Sequence, residues 1–589
     1  KVNYGGVLMN YTYLADFDKR IDLISKYNNN ALMLYTLEMK YDIQDITSVA
    51  SEALTDGGDD KKCDLIYIDT SSGIAIIAQA YNKAAPQEGD LAPGNKASDL
   101  NTAAAWVFSE DLQIVPEKIR EQVAHLQTCI EENAIGTIYF WYIHNLNEKN
   151  NPEIKKELDI MQAQARAAFK AKFTESSAEI FALEVGNETI EKWFLAKNKR
   201  ISVTDSIEVN KYPGGYEFNA SLWRAYVTAV SAKWLKVQYE RYKDDLFSGN
   251  PRTYLGYGKK KNKINLGIRE SIQYSPSNFW AFNNGITALV NGFEITEKPD
   301  GTEKLIINGI TVINGAQTTG AISSVDEFDE AWVPIRFIVC TKDEIIDEII
   351  SNNNKQNEIL ASDLRSNDST QNRLRNEFRQ FDKYFYSGGR RSASRPTRSR
   401  EVLDPYLVAQ ALLAFHGDCV TAYNSKTELW SDDRLYSSIF TDKLSAEHII
   451  FTYSLLRAIE NYKIELQKKS EARTDSEEKQ YRFLSRRGSK FMLIFAMSKC
   501  MESIVDRRII NPWSLRFKIQ DFDTMVNLWE KTIQAFLPMA YMHLEVALID
   551  GLKNREVANT AANTAAGIFD GVKAYIRQQL SDFIESIDC

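Results

Sequence analysis

Cysteine, histidine and long apolar runs are all scarce in this chain, and each scarcity narrows its chemistry. Six cysteines (Cys63, Cys129, Cys340, Cys419, Cys500 and Cys589) are scattered with no C-x-x-C pair. That is the pattern of reduced thiols in a cytoplasmic protein, not of a disulfide framework. The five histidines are equally dispersed, so no zinc-ligand spacing is visible. No apolar run reaches the ~18 residues of a membrane-spanning helix. The opening KVNYGGVLMNYTYL also lacks the apolar core of a signal peptide. No membrane partner is expected.

What is present has ordinary globular composition, 44% hydrophobic and 26% charged over 589 residues. A chain of that length is expected to form roughly two to four domains. The net charge of −9 hides an asymmetry. Residues 1–150 hold 12 Lys and Arg against 22 Asp and Glu, whereas residues 201–400 hold 27 against 24. An acidic first part suits cation binding and a basic middle suits a polyanion, unless the difference is surface charge without a role.

The pattern of elements predicts an α/β domain over residues 1–150. NALMLYTLEMKYDI reads as helical, and DITSVASEALTDGG as a helix capped by Asp45 and stopped at Gly57-Gly58. CDLIYIDTSSGIAIIAQAY reads as a β-hairpin turning at Ser71-Ser72-Gly73. ASDLNTAAAWVF follows as a helix capped by Ser98 or Asp99, then IGTIYFWYIHNL as a buried strand, so a mixed sheet is expected. Residues 151–210 read as a helical connector ending in the strand RISVTDSIEVN. Residues 211–400 begin with SLWRAYVTAVSAKWLKVQYERY as a helix and continue through the strands ITALVNGFEIT, LIINGITVING and VPIRFIVC to the helix DEIIDEIISNNN. From 401 to 589 the pattern is helical, with ANTAANTAAG as a small-residue packing face or a joint.

Three segments of the middle part are dense in amides beside apolar runs: FWAFNNGITAL, INGAQTTGAI and SNNNKQNEILASDLRSND. Buried amides need partners or they cost stability, so a shared polar pocket is expected from Asn283, Asn284, Asn314, Gly315, Gln317, Thr318, Asn353, Asn354, Gln356 and Asn357. The strand-to-helix turn at Asn314-Gly315 suits an anion such as a phosphate. The amides either read a base edge or nucleotide sugar, or form an internal network that fixes loop geometry. In order and spacing these segments resemble the AIPR (abortive infection phage resistance) family. The resemblance rests on Asn283-Asn284-Gly285-Ile286-Thr287, on Asn314-Gly315-Ala316-Gln317-Thr318-Thr319, and on Asn353 to Asn357 followed by Asp363 to Ser366. It covers roughly residues 245–440, departs at Lys355, and implies bacterial anti-phage defence.

The first domain carries a second resemblance. TDGGDDKKCDLIYID followed by IIAQAY is similar to the PD-(D/E)xK, restriction-endonuclease-like nucleases, in which two carboxylates hold Mg²⁺ or Mn²⁺ and a lysine neutralises developing charge. Asp64 opens the first hairpin strand, Gln79 lies across the turn, and Glu52 on the preceding helix supplies a further oxygen. Asp64 and Glu52 would be the metal ligands. The lysine position, two after Gln79, is Tyr81; Lys83 shares that side by strand alternation, and Lys96 is a further substitute. An active nuclease, a nuclease-like domain that has lost its chemistry, and a plain structural hairpin all remain open.

Basic segments complete the reading. Arg252, Lys259, Lys260 and Lys261 lie among several glycines with Tyr254 and Tyr257 between them, and Arg390, Arg391, Arg395, Arg398 and Arg400 lie in a Ser/Gly-rich run behind three aromatics. Such segments contact phosphates and stack on bases; RFLSRRGSK from Arg482 is a third patch. The expectation is an α/β protein with a restriction-endonuclease-like domain, a central AIPR domain and a helical C-terminal domain. A nucleic acid (DNA or RNA), a nucleotide or phage-derived trigger, and a second copy of the chain are the partners weighed.

Overall fold

The computed structural model describes residues 11–55, 62–70, 72–87, 89–148, 151–176, 178–198, 201–209, 212–242, 246–247, 259–297, 303–325, 327–340, 342–355, 362, 365–366, 368–389, 401–469, 472–549 and 551–588. Where the sequence pattern suggests four segments, the contacts divide the chain into two compact units. One joins residues 1–43 to 53–358, and the other joins 44–52 to 359–589.

The first unit opens on a four-stranded sheet of order β1-β2-β3-β4. β1 (Leu65–Asp69) and β2 (Ile74–Tyr81) form the antiparallel hairpin expected from the sequence. β3 (Thr137–His144) and β4 (Glu179–Val185) each add in parallel. Parallel neighbours need crossovers, supplied by the helices Gly94–Val107 and Glu117–Glu131 and then by Pro152–Lys172. β2 and β3 are mostly buried β-branched and aromatic residues, as a strand covered on both faces requires. Ile77, Leu100, Val107, Val123, Ile138 and Phe140 meet in the core beneath them.

Two expectations are corrected here. The crossover helix begins at Gly94 behind Pro93, so Ser98 and Asp99 are not its caps. β4 lies inside the stretch read as helical, because EIFALEV is as rich in helix formers as in strand formers.

The same unit holds a seven-stranded sheet of order β5-β10-β8-β11-β7-β6, with β9 paired to β10. Its strands are β5 (Val203–Val209), β6 (Tyr216–Asn219), β7 (Trp223–Ser231), β8 (Ile286–Leu289), β9 (Gly292–Glu297), β10 (Glu303–Asn314) and β11 (Trp332–Cys340). β7 corrects the helix expected over SLWRAYVTAV: nine residues pair antiparallel with β11, and only from Ala232 does the chain become helical. One face of this sheet, at Ala225, Leu289, Ile313 and Ile338, is covered by Ile346, Ile349 and Ile350 of the helix Asp343–Lys355.

Among the described residues the second unit is helical apart from two short strand pairs. Long helices Ala446–Lys469 and Phe522–Glu545 pack around Phe451, Trp529, Ile533 and Phe536. The alanine-rich repeat is the packing face of the helix Arg555–Ile576, with Ala558, Ala561, Ala562 and Ala565 buried. The helix Ile46–Ala53 places Asp45, Ser48 and Glu52 in this unit. Asp45 caps it, as expected, by accepting from the Ser48 N–H at 3.0 Å. Its other oxygen accepts from Arg457 Nη2 at 2.7 Å and Tyr453 OH at 2.5 Å.

Candidate functional site

The hairpin end builds the first centre. The Asp64 N–H donates to Ala78 O at 2.8 Å, continuing the β1–β2 ladder one residue beyond β1. Its side chain is thereby placed beside Gln79. Asp64 Oδ2 accepts from Gln79 Nε2 at 2.7 Å and from the Ala80 N–H at 2.6 Å. Both residues are buried, 7% and 4% exposed, so these bonds carry the cost of burying a carboxylate. Gln79 Oε1 is inaccessible and has no hydrogen-bond partner, a position that costs about 1–3 kcal/mol if nothing meets it. Gln79 turns its amide nitrogen, not its oxygen, to the carboxylate; with the amide turned over, its oxygen and the Asp64 carboxylate would be two hard donors of the kind that Mg²⁺ or Mn²⁺ takes, with waters completing the shell. Only in that orientation would these two residues fit the ion as a minimal site.

The other expected members have partners of their own. Tyr81 ends β2 opposite His144. Strand alternation stops there, so it does not carry Lys83 to the face of Gln79. Instead the Lys83 backbone is tied to the Asn145 side chain, and Lys83 Nζ pairs with Asp90 at 2.6 Å. Hydrogen bonding to Lys83 is the main cause holding the Asp90 carboxyl below its usual range. Glu52 belongs to the second unit and pairs with Lys490 Nζ at 2.7 Å. Among the described residues no group of three or more His, Cys, Asp and Glu is arranged to hold a metal.

The amide segments form a second centre across three strands. Arg336 on β11, Thr287 on β8 and Asn314 on β10 are register neighbours. Arg336 Nη2 donates to Thr287 Oγ1 at 2.7 Å and to Asn353 Oδ1 at 3.1 Å. Asn314 Nδ2 donates to Asn353 O at 3.2 Å, and Asn353 Nδ2 to Ile349 O at 2.8 Å. Two glycines let the strands close. A Cβ on Gly315 (φ +102°) would lie 2.7 Å from Ile286 Cγ1, and one on Gly285 (φ +81°) 2.7 Å from Pro334 O. Gly315 precedes the helix Ala316–Ser323, which has no side-chain cap and starts with half-buried Gln317 and buried Thr318.

Asn283 donates back to Phe279 O at 3.1 Å, a local turn bond, and Asn284 is exposed. The Asn354 side chain, Gln356 and Asn357 lie outside the described residues, and so does Asp363. Arg365 falls in the second unit, where it donates to Trp430 O at 3.3 Å and pairs with Asp433. Within the first unit, Thr287 of the first segment and Asn353 of the third share Arg336, and Asn314 of the second bonds to Asn353, while Arg365 braces the core of the second unit. Arg336 is the member that sequence reasoning missed. Its signal was a lone cation inside the apolar strand VPIRFIVC.

Of the basic segments, Arg252, Arg390, Arg391, Arg395, Arg398 and Arg400 lie outside the described residues, as do the side chains of Lys259, Lys260 and Lys261. The backbone of those lysines opens the helix Lys259–Tyr274. The third patch is largely neutralised: Arg482 pairs with Glu478, Arg486 with Glu545, and Lys490 with Glu460 and Glu52.

Fold and sites together define a mixed α/β protein with a helical C-terminal region, a buried Asp–Gln centre and an Arg–amide cluster. The family model described as AIPR protein matches residues 247–540, about half of the chain, and supports the identification of the chain as a member of the AIPR family. The match runs about a hundred residues beyond the stretch that carries the resemblance in the sequence, well into the helical unit. No curated protein and no solved structure matches the chain.

Proposed function

We propose that this protein acts in abortive-infection defence against phage and that its first sheet holds a Mg²⁺- or Mn²⁺-dependent nuclease centre on Asp64 and Gln79. The family match supports the defence role. The chemistry rests on one observation, the buried Gln79 amide that donates from Nε2 to the Asp64 carboxylate and leaves its Oε1 unmet at the end of an antiparallel hairpin. Asp64 and Gln79 are the residues that would hold the ion. When bound it would polarise a scissile phosphate of DNA or RNA and lower the pKa of an attacking water. The hairpin register and the Ala80 N–H hold the Asp64 carboxylate in place, so that no side chain has to be recruited when substrate arrives.

The test is cleavage of plasmid, single-stranded DNA and RNA in Mg²⁺ or Mn²⁺, with Asp64→Ala alongside. Cleavage that disappears in the variant is the expected result; a variant that cuts like wild type overturns the assignment. A second reading is a nucleic-acid or nucleotide sensor whose nuclease-like domain no longer cuts. It is favoured by Tyr81 at the lysine position and by the commitment of Glu52 to Lys490. Salt-sensitive binding without cleavage of any substrate would select it.

A further inference from the structure

The Arg336 guanidinium is held on one side and open on the other. Both of its bonds run through Nη2, to Thr287 Oγ1 and Asn353 Oδ1. Those acceptors are neutral. Among the described residues no carboxylate pairs with Arg336, and no group meets its Nε or Nη1. Thr287 is buried, whereas Arg336 is exposed. A guanidinium pinned by neutral groups keeps its charge and loses little freedom on meeting an anion.

Two aromatic rings stand at the same end of the sheet. β8 and β11 run parallel, with Ile286 opposite Ile335 and Thr287 opposite Arg336. One residue earlier, Gly285 abuts the Pro334 carbonyl, and Pro334 lies about 7 Å before Arg336 at the ordinary strand rise. The chain reaches Gly285 from the short helix Phe279–Phe282, which packs on β11, through extended Asn283 and exposed Asn284. Phe279 anchors that helix in the core, while Trp280 and Phe282 turn outward, 54% and 63% exposed. Apolar side chains exposed singly are ordinary. Two rings exposed in one short helix, near a cation without a counter-charge, mark a binding surface.

We propose that this end of the seven-stranded sheet binds a nucleotide, with Arg336 taking the phosphate and the outward rings of Trp280 and Phe282 offering a stacking face to the base. A phosphate presents oxygens to a guanidinium and a base presents a flat face to a ring, so one nucleotide uses both features. A bare anion would leave the rings unused. Thr287 and Asn353 are positioning residues: they aim the guanidinium and do not touch the ligand. The proposal rests on the nucleotide-sensor reading for its purpose, while the binding itself needs neither a metal nor cleavage.

The experiment is calorimetric titration of the full chain with AMP, GMP, adenosine and a single-stranded oligonucleotide. Wild type should bind AMP or GMP, and adenosine, which lacks the phosphate, at least about tenfold more weakly than AMP. Arg336→Gln should weaken nucleotide binding at least about tenfold. Trp280→Ala combined with Phe282→Ala should weaken it at least about fivefold; both side chains are exposed, so this variant tests the site even if Arg336→Gln does not fold. A strand that binds more tightly than the mononucleotides identifies a nucleic acid as the source, and the reverse identifies a free nucleotide. No binding of any of these ligands by wild type, or an affinity that either variant leaves unchanged, overturns the proposal. Oligonucleotide binding that neither variant weakens removes this site and leaves the sensor reading standing. Asp64→Ala should bind as wild type does, so the nuclease centre is judged separately by cleavage.

Discussion

Replacing Glu460 with glutamine keeps the shape of a side chain that is 2% exposed and removes the one charge shared by two buried cations. Glu460 Oε2 accepts from Arg457 Nη1 at 2.9 Å, and Oε1 from Lys490 Nζ at 2.9 Å and Ser48 Oγ at 2.7 Å. Arg457 retains Asp45 and Glu401, and Lys490 retains Glu52. Breaking a buried pair by removing one partner costs about 3–5 kcal/mol. The remaining carboxylates place this substitution at the lower end, about 3 kcal/mol. For a unit of this size each kcal/mol moves the melting temperature by about 2–4 °C. Thermal unfolding of Glu460→Gln should therefore begin about 6–12 °C below wild type, read on the helical transition by circular dichroism. Lys490→Met should cost less, because one of the two carboxylates it releases, Glu52, is 65% exposed. A Glu460→Gln protein melting within about 2 °C of wild type would refute the claim that this network holds the helical unit together.

Acid should weaken the same unit through its buried imidazoles. His448 Nδ1 lies 2.9 Å from Leu515 O, which only accepts, so His448 Nε2 is the acceptor for His416 Nε2 at 2.9 Å. Burial pushes His448 down to about 4; burial and then the neighbouring His448 push His416 down to about 3. Below the unfolded value of about 6.5 the unfolded chain binds more protons, so stability is full above that pH and falls as pH drops towards 4, by about 3 kcal/mol for His448 alone. Denaturation at pH 7, 5.5 and 4.5 should show a steeper pH loss in wild type than in His448→Leu; parallel curves would remove the assignment. Gly315→Ala should lose about 1–3 kcal/mol from its left-handed backbone, with the Ile286 contact added. Gly567→Ala, on an exposed face of the helix Arg555–Ile576 with open space around it, should instead gain up to about 1 kcal/mol. Equal effects in a urea titration would contradict the geometry.

Local chemistry was legible in the sequence; distant partners were not. The hairpin and the Asp64–Gln79 pairing follow from a short turn that fixes register, and the Asp45 cap follows from its place before a helix. β7 was misread because WRAYVTAVS runs into AKWLKVQYERY with no breaker between them; only pairing with β11 decides its form. Glu52 sat at the right spacing for a metal ligand, but its partner Lys490 is 438 positions away. No periodicity reports such a contact. Arg336 was hidden for a related reason, since its meaning depends on Thr287 and Asn353 being brought beside it.

The order of synthesis follows from where residues 44–52 reside. Asp45 leaves the ribosome long before Arg457, from which it is separated by 412 positions. Until the helix Ala446–Lys469 emerges, Asp45 has no Arg457 to meet, and Glu52 waits longer still for Lys490. The helical unit therefore closes late, through contacts of very high sequence separation that wait on Arg457 and Lys490. A chain released early would present the helix Ile46–Ala53 bare, a signature that proteolysis in the cell could read before any chemistry began.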